Sequence, residues 1–144
     1  MCTDSGHILE SYRFTWIPSF HPAVVVNIDL TTIGYQLTGK ILNGAGGYQP
    51  GSLAREVTHI LSEADFAHFS ELIRSAGFWK LSSNDQLLGC DGAQWILEAL
   101  TSNGYHVVDR WTPNRDGPNR PFRAIGEWML ASSGLVPAAL VKEY

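Results

Sequence analysis

The chain has 144 residues, 44% of them hydrophobic, 11% aromatic and 17% charged. A chain of this length buries about two-thirds of its unfolded surface, so it forms a core without disulfide or metal, and the composition excludes a disordered or low-complexity segment. The net charge of −4 argues against a general nucleic-acid binder.

Residues 1–9 read as a flexible polar tail ahead of a single domain. They lack the basic and apolar regions of a signal peptide, and no stretch of the chain approaches the ~20 apolar residues of a membrane span. A cytoplasmic location is the expectation. The alternative is a periplasmic lipoprotein whose leader has been removed, with Cys2 as the acylated residue. Tyr12 to Trp16 then alternates aromatic with polar residues, the period of a half-buried strand. Pro18 and Pro22 bracket a break, and Ala23 to Asp29, with Val24, Val25, Val26 and Ile28, reads as a second strand. A turn over Thr31 to Gly34 leads into a third, Tyr35–Leu42, and three strands joined so closely suggest an antiparallel meander.

Asn43 to Gly51 is a loop by composition, and Arg55–Leu61 reads as a fourth strand. Ser62 suits an N-cap, with Glu63 and Asp65 in the first turn of a helix. Phe66, Phe69, Ile73 and Ala76 follow at helical spacing, Gly77 is a natural stop, and Phe78 and Trp79 extend the apolar surface. Trp95–Leu100 and Tyr105–Trp111 flank Asn103-Gly104 and predict a hairpin turning there. Pro121 suits the first position of a second helix, with Phe122, Ile125, Trp128 and Met129 on its buried side and Gly134 as its stop. A short helical turn after Pro137 completes an α+β reading: an antiparallel sheet of five to seven strands with two helices packed on it.

No motif announces a cofactor. The run Gly44-Ala45-Gly46-Gly47-Tyr48-Gln49 starts like a dinucleotide fingerprint, but Gln49 occupies the third glycine's position and Pro50-Gly51 continues the turn. It reads as a structural loop that brings Tyr48 to a partner. Cys2 and Cys90 form no CxxC pair, and Cys90, ahead of Asp91-Gly92, reads as a small, partly buried residue before a turn. The five histidines (His7, His21, His59, His68, His106) contain no HExxH and no i, i+4 pair, so neither a metal nor a cofactor is expected.

Two constellations carry chemistry. On the hairpin, Glu98 and Asp109 face each other in one register; in the neighbouring register Glu98 reaches diagonally toward Arg110 or His106. Like charges directly opposite are unfavourable, so the second register and an ordinary cross-strand ion pair are expected, with His106 and Asp109 on opposite faces. If the chain is a small hydrolytic enzyme, Glu98, His106, Asp109 and Arg110 are its candidate residues. The second constellation is the segment Arg110 to Arg123, where four arginines meet one acid, Asp116, so that a +3 stretch sits on a body at −7. Its Pro, Gly and Asn make 111–121 a loop, and an arginine's planar fork suits carboxylate or phosphate.

The strings Tyr12-Arg13-Phe14-x-Trp16, Gly44-Ala45-Gly46-Gly47-Tyr48-x-Pro50-Gly51, Asp91-Gly92-Ala93-Gln94-Trp95-Ile96-Leu97-Glu98 and Tyr105-His106-Val107-Val108-Asp109-Arg110-Trp111-x-Pro113 resemble those of a group of small, uncharacterised bacterial proteins. The resemblance runs over roughly residues 10 to 133 and implies a bacterial origin and one domain; it carries no catalytic residue. The expectation is therefore a non-enzymatic protein-binding domain of the inhibitor or immunity kind. Arg115, Arg120, Trp111 and Tyr48 would form its contact surface, and the partner would be acidic at the contact. The alternatives are the small hydrolase and a small-ligand binder using the open face of the sheet.

Overall fold

The computed structural model describes residues 10–85 and 89–144; the polar tail, Cys2 and His7 lie outside them. Alternating side chains make six strands: β1 Ser11–Pro18, β2 Val24–Thr31, β3 Gly34–Leu42, β4 Leu53–Ile60, β5 Ala93–Thr101 and β6 Gly104–Trp111. They form one antiparallel sheet in the order β4-β3-β2-β1-β5-β6. The first three strands form the expected meander, and β4 extends it beyond β3. The β5–β6 hairpin then docks on the free edge of β1, so residues far apart in sequence become neighbours.

Both helices, α1 Glu63–Ser75 and α2 Arg120–Ser133, pack on the same face. Tyr12, Phe14, Trp16, Val24, Val26, Ile28, Trp95 and Leu97 point toward them and are buried. Each such side chain contributes about 1.5–3 kcal/mol by leaving water. Phe69 and Ile73 of α1 are buried as expected, whereas Phe66 and Ala76 are half-buried at the rim, where Phe66 stacks on Tyr35. Trp128 of α2 is likewise half-buried, against Phe69 and His68.

The local signals act as the chemistry requires. The Ser62 hydroxyl accepts from the Asp65 amide at 3.0 Å, and Gly77 takes a left-handed φ of 59° after α1. Helix α2 starts at Arg120, one residue before Pro121, and ends at Gly134 with φ 68°. A short helix α3, Ala138–Val141, follows Pro137. The β5–β6 turn lies one residue earlier than the Asn103-Gly104 reading: Thr101 pairs with Gly104, and Ser102-Asn103 form the loop. The physical reason is that the positive φ, 108°, falls on Gly104 as the last turn residue. The Thr101 hydroxyl meanwhile accepts from the Asn103 amide at 3.1 Å. The β2–β3 turn repeats this device with Thr31, Ile33 and Gly34.

Candidate functional site

Register places the connections unequally. The two tight turns, 32–33 and 102–103, lie at one end of the sheet. Pro18, Val24, Leu42, Leu53, Ala93 and Trp111 are linked through the ladder at the other end. That end therefore carries the long connections 19–23, 43–52, 89–92 and 112–119, together with the segment after α3. A rigid sheet with its long loops gathered at one end is a common way to build a recognition surface.

The candidate hydrolytic set is not brought together. Glu98 pairs across the ladder with Val107, and Asp109 with Ile96, so the two acids share the open face but are offset along it. His106 and Arg110 lie on the opposite, helix-covered face, as the strand period requires for His106 and Asp109. The expected diagonal pairing of Glu98 with Arg110 or His106 is thus corrected. Its cation is Arg13 on β1, which faces Glu98 directly and donates to its two carboxylate oxygens from Nε and Nη2, at 2.7 and 2.9 Å. Tyr105 donates a third bond to Glu98 at 2.8 Å. These bonds, Arg13 foremost, hold the Glu98 carboxyl below its usual range, and Arg13 and Tyr105 are raised in return. Asp109 accepts from Gln94 Nε2 at 2.9 Å. His106 Nε2 lies 2.8 Å from the Leu81 carbonyl with its ring against Phe78 and Trp79, a packed structural position.

The arginine segment divides in two. Arg110 and Arg123 are 4% and 3% exposed, and both bind backbone and side-chain oxygens of the fold. Arg115 is exposed on the loop, and Arg120 is exposed too, but on the first turn of α2, which begins inside the stretch expected to be loop. With Lys142 they rim a groove of about 490 Å³ between α2 and α3, whose floor includes Ala124, Val136 and Val141. Its lining holds four cations, counting Arg123, and one carboxylate, Glu127, already paired with Arg123 at 2.6 Å. Among the described residues, neither Arg115, Arg120 nor Lys142 takes part in an ion pair.

Trp111 and Tyr48 belong to a different recess, a groove of about 600 Å³ where the open sheet face meets the loops. The glycine run does form a structural loop, with Gly46 and Gly51 at φ 59° and 75°, and it leaves Tyr48 wholly exposed. Phe20, on the β1–β2 connection, is 65% exposed beside it. Sequence reading passed over Phe20, although an aromatic between two prolines in a break is a signal for it. Cys90 also lines this groove; it is exposed rather than partly buried, because Gly89 and Gly92 seat the chain on the Trp111 indole and leave the Cys90 side chain outside. The segment after α3 is anchored between the two grooves. Tyr144 packs edge-on to Trp16, shares a hydrogen bond with His21 at 2.5 Å, and has its phenol raised by burial.

Among the described residues, no three His, Cys, Asp or Glu side chains gather as a metal-binding group, and no helix is long and apolar enough to cross a membrane. No protein-family model and no curated protein matches the chain.

Proposed function

We propose that the chain is a non-enzymatic binding domain that receives an acidic segment of a protein partner in the groove between α2 and α3. One observation carries this reading: Arg115, Arg120 and Lys142 stand without ion-pair partners around a floor of small apolar side chains. Cations at a rim steer an acidic partner and fix its register, while the floor takes up apolar area. Arginine adds a fork that engages a carboxylate with two parallel hydrogen bonds. The arrangement suits a short amphipathic stretch bearing Asp or Glu beside small hydrophobic residues.

The test is selection from a displayed random-peptide library against wild type and an Arg115→Glu/Arg120→Glu variant. Both arginines are exposed, so the double change leaves the melting temperature nearly unchanged, exposed charges being worth about 0–1 kcal/mol each. Wild type is expected to enrich acidic, partly apolar peptides whose binding weakens with salt, and the variant to lose them. Enrichment of peptides without acids, or equal capture by both proteins, would overturn the reading.

A further inference from the structure

We infer that the aromatic groove at the loop end of the open sheet face binds a small organic ammonium cation. This site is separate from the groove between α2 and α3, and it stands or falls independently of the acidic partner. Its walls are built to be rigid. On one side, a Cβ at Gly44 would sit 1.8 Å from the Gln49 carbonyl oxygen, and one at Gly51 would sit 2.2 Å from Asn43 Oδ1. Backbone bonds Asn43 to Ser52, Gly44 to Pro50, Ala45 to Gln49 and Gly46 to His21 close the loop that displays Tyr48. On the other side the Trp111 indole lies directly on glycine backbone. A Cβ at Gly89 would meet its Nε1 at 2.2 Å, and one at Gly92 would meet it at 3.0 Å.

The two walls are joined. Ser19 and Gly92 exchange three hydrogen bonds, from the Ser19 amide to the Gly92 carbonyl at 2.8 Å and through the Ser19 hydroxyl at 2.9 and 3.1 Å. Thr112, immediately after Trp111, has φ 39°, the only left-handed non-glycine among the described residues. For a β-branched residue that is a costly conformation. It is held by bonds to Ala93 at 2.7 and 2.9 Å. Strain and tight glycines beside exposed aromatics favour a preorganised ligand site.

The lining chooses the ligand. Phe20, Tyr48 and Trp111 line the groove together with Ile17 and Gln94, Asp91 supplies a carboxylate, and among the described residues no Lys or Arg lines it. Ring faces carry partial negative charge and attract an ammonium group, an attraction that Asp91 reinforces. Asp91 repels an anion, and a neutral molecule lacks the attraction to the rings and to Asp91. The volume matches a small-molecule site.

The experiment follows the Trp111 indole N–H by NMR in the full chain, assigned with Trp111→Phe. The protein is titrated with choline, with butylammonium, and with 3,3-dimethyl-1-butanol, which has the shape of choline without its charge, all at constant ionic strength. A saturable shift is expected with at least one of the two ammonium ions and at least about tenfold weaker binding of the alcohol. Tyr48→Ala, at a wholly exposed side chain, and Asp91→Asn, also exposed, are each expected to weaken binding about 2- to 30-fold. No saturable shift with either ammonium ion, an equal response to the alcohol, or unchanged affinity in both variants would overturn the assignment.

Discussion

Gly126 is the sharpest test of the packing. It sits in the interior of α2, where replacing glycine by alanine ordinarily stabilises a helix by about 1 kcal/mol. Here the sign is expected to reverse. A Cβ at Gly126 would lie 2.6 Å from Phe14 Cζ, 2.8 Å from Phe14 Cε2 and 2.7 Å from Trp95 Cε3. Neither ring has room to retreat: Phe14 and Trp95 are 1% and 0% exposed and pack edge-to-face with centroids 5.6 Å apart. Overpacking a rigid site costs about 1–3 kcal/mol, and two immobile rings put this one near the upper limit. After the propensity gain, Gly126→Ala is expected to lose about 2 kcal/mol, or roughly 4–8 °C in Tm. Urea denaturation followed by far-UV circular dichroism measures it. Ala131→Gly, at an exposed position of the same helix, calibrates propensity alone, with an expected loss of about 1 kcal/mol. A Gly126→Ala protein as stable as wild type, or more so, would refute the close approach of helix and sheet.

Phe69→Ala removes a fully buried ring that touches Tyr12, Phe66 and Trp128, and is expected to cost about 3–5 kcal/mol; a denaturant midpoint that hardly moves would place Phe69 outside the core. The Arg13–Glu98 pair makes stability depend on pH. Because Glu98 is held below its ordinary value of 4.5, its contribution is fully present above that pH and is lost as the pH falls through the lower folded-state value. With Arg13 half exposed, the pair is worth no more than about 1 kcal/mol. The stability difference between wild type and Arg13→Leu, measured by urea denaturation, should therefore be clear at neutral pH and vanish in strong acid; a difference independent of pH would refute it.

The strands and helices were legible because their signals are local. Alternation in Tyr12–Trp16 and spacing in Phe66–Ile73 each need only a few neighbouring residues to assert a buried face. The partner of Glu98 was not legible for the converse reason. The polar members of β1 and β5 include Arg13 and Glu98, but only strand order makes them neighbours, and nothing local says that the hairpin docks on β1 rather than on β4. The turn over Ser102-Asn103 was displaced by one residue because an Asn-Gly pair fits more than one hairpin geometry, and here only glycine takes the positive φ. At the loop end, sequence picked out Tyr48 and Trp111 by type but joined them to Arg115 and Arg120. The fold instead gives the aromatics to the open-face groove and the arginines to the α2–α3 groove.

The arginine run shows why a charge count overstates a contact surface. Of the four arginines between 110 and 123, two are structural. The Arg123 guanidinium lies over the Trp95 ring, its carbon 4.5 Å from the centroid. It donates to the Pro113 and Val141 carbonyls at 2.9 and 3.0 Å and pairs with Glu127. One buried cation thus ties the 112–119 loop and the end of α3 to the core. Arg110 does similar work from β6, holding Asn119 just before α2, Ser82 and the Asp109 carbonyl. A charge so deeply placed is tolerated because its hydrogen bonds replace water, and removing it would leave buried oxygens without donors. Arg115, on the 112–119 loop, and Arg120, the first residue of α2, instead stay outside, on a frame that the buried pair holds still. For the proposed contact with an acidic segment, ordering this frame is a cost of folding and not of binding.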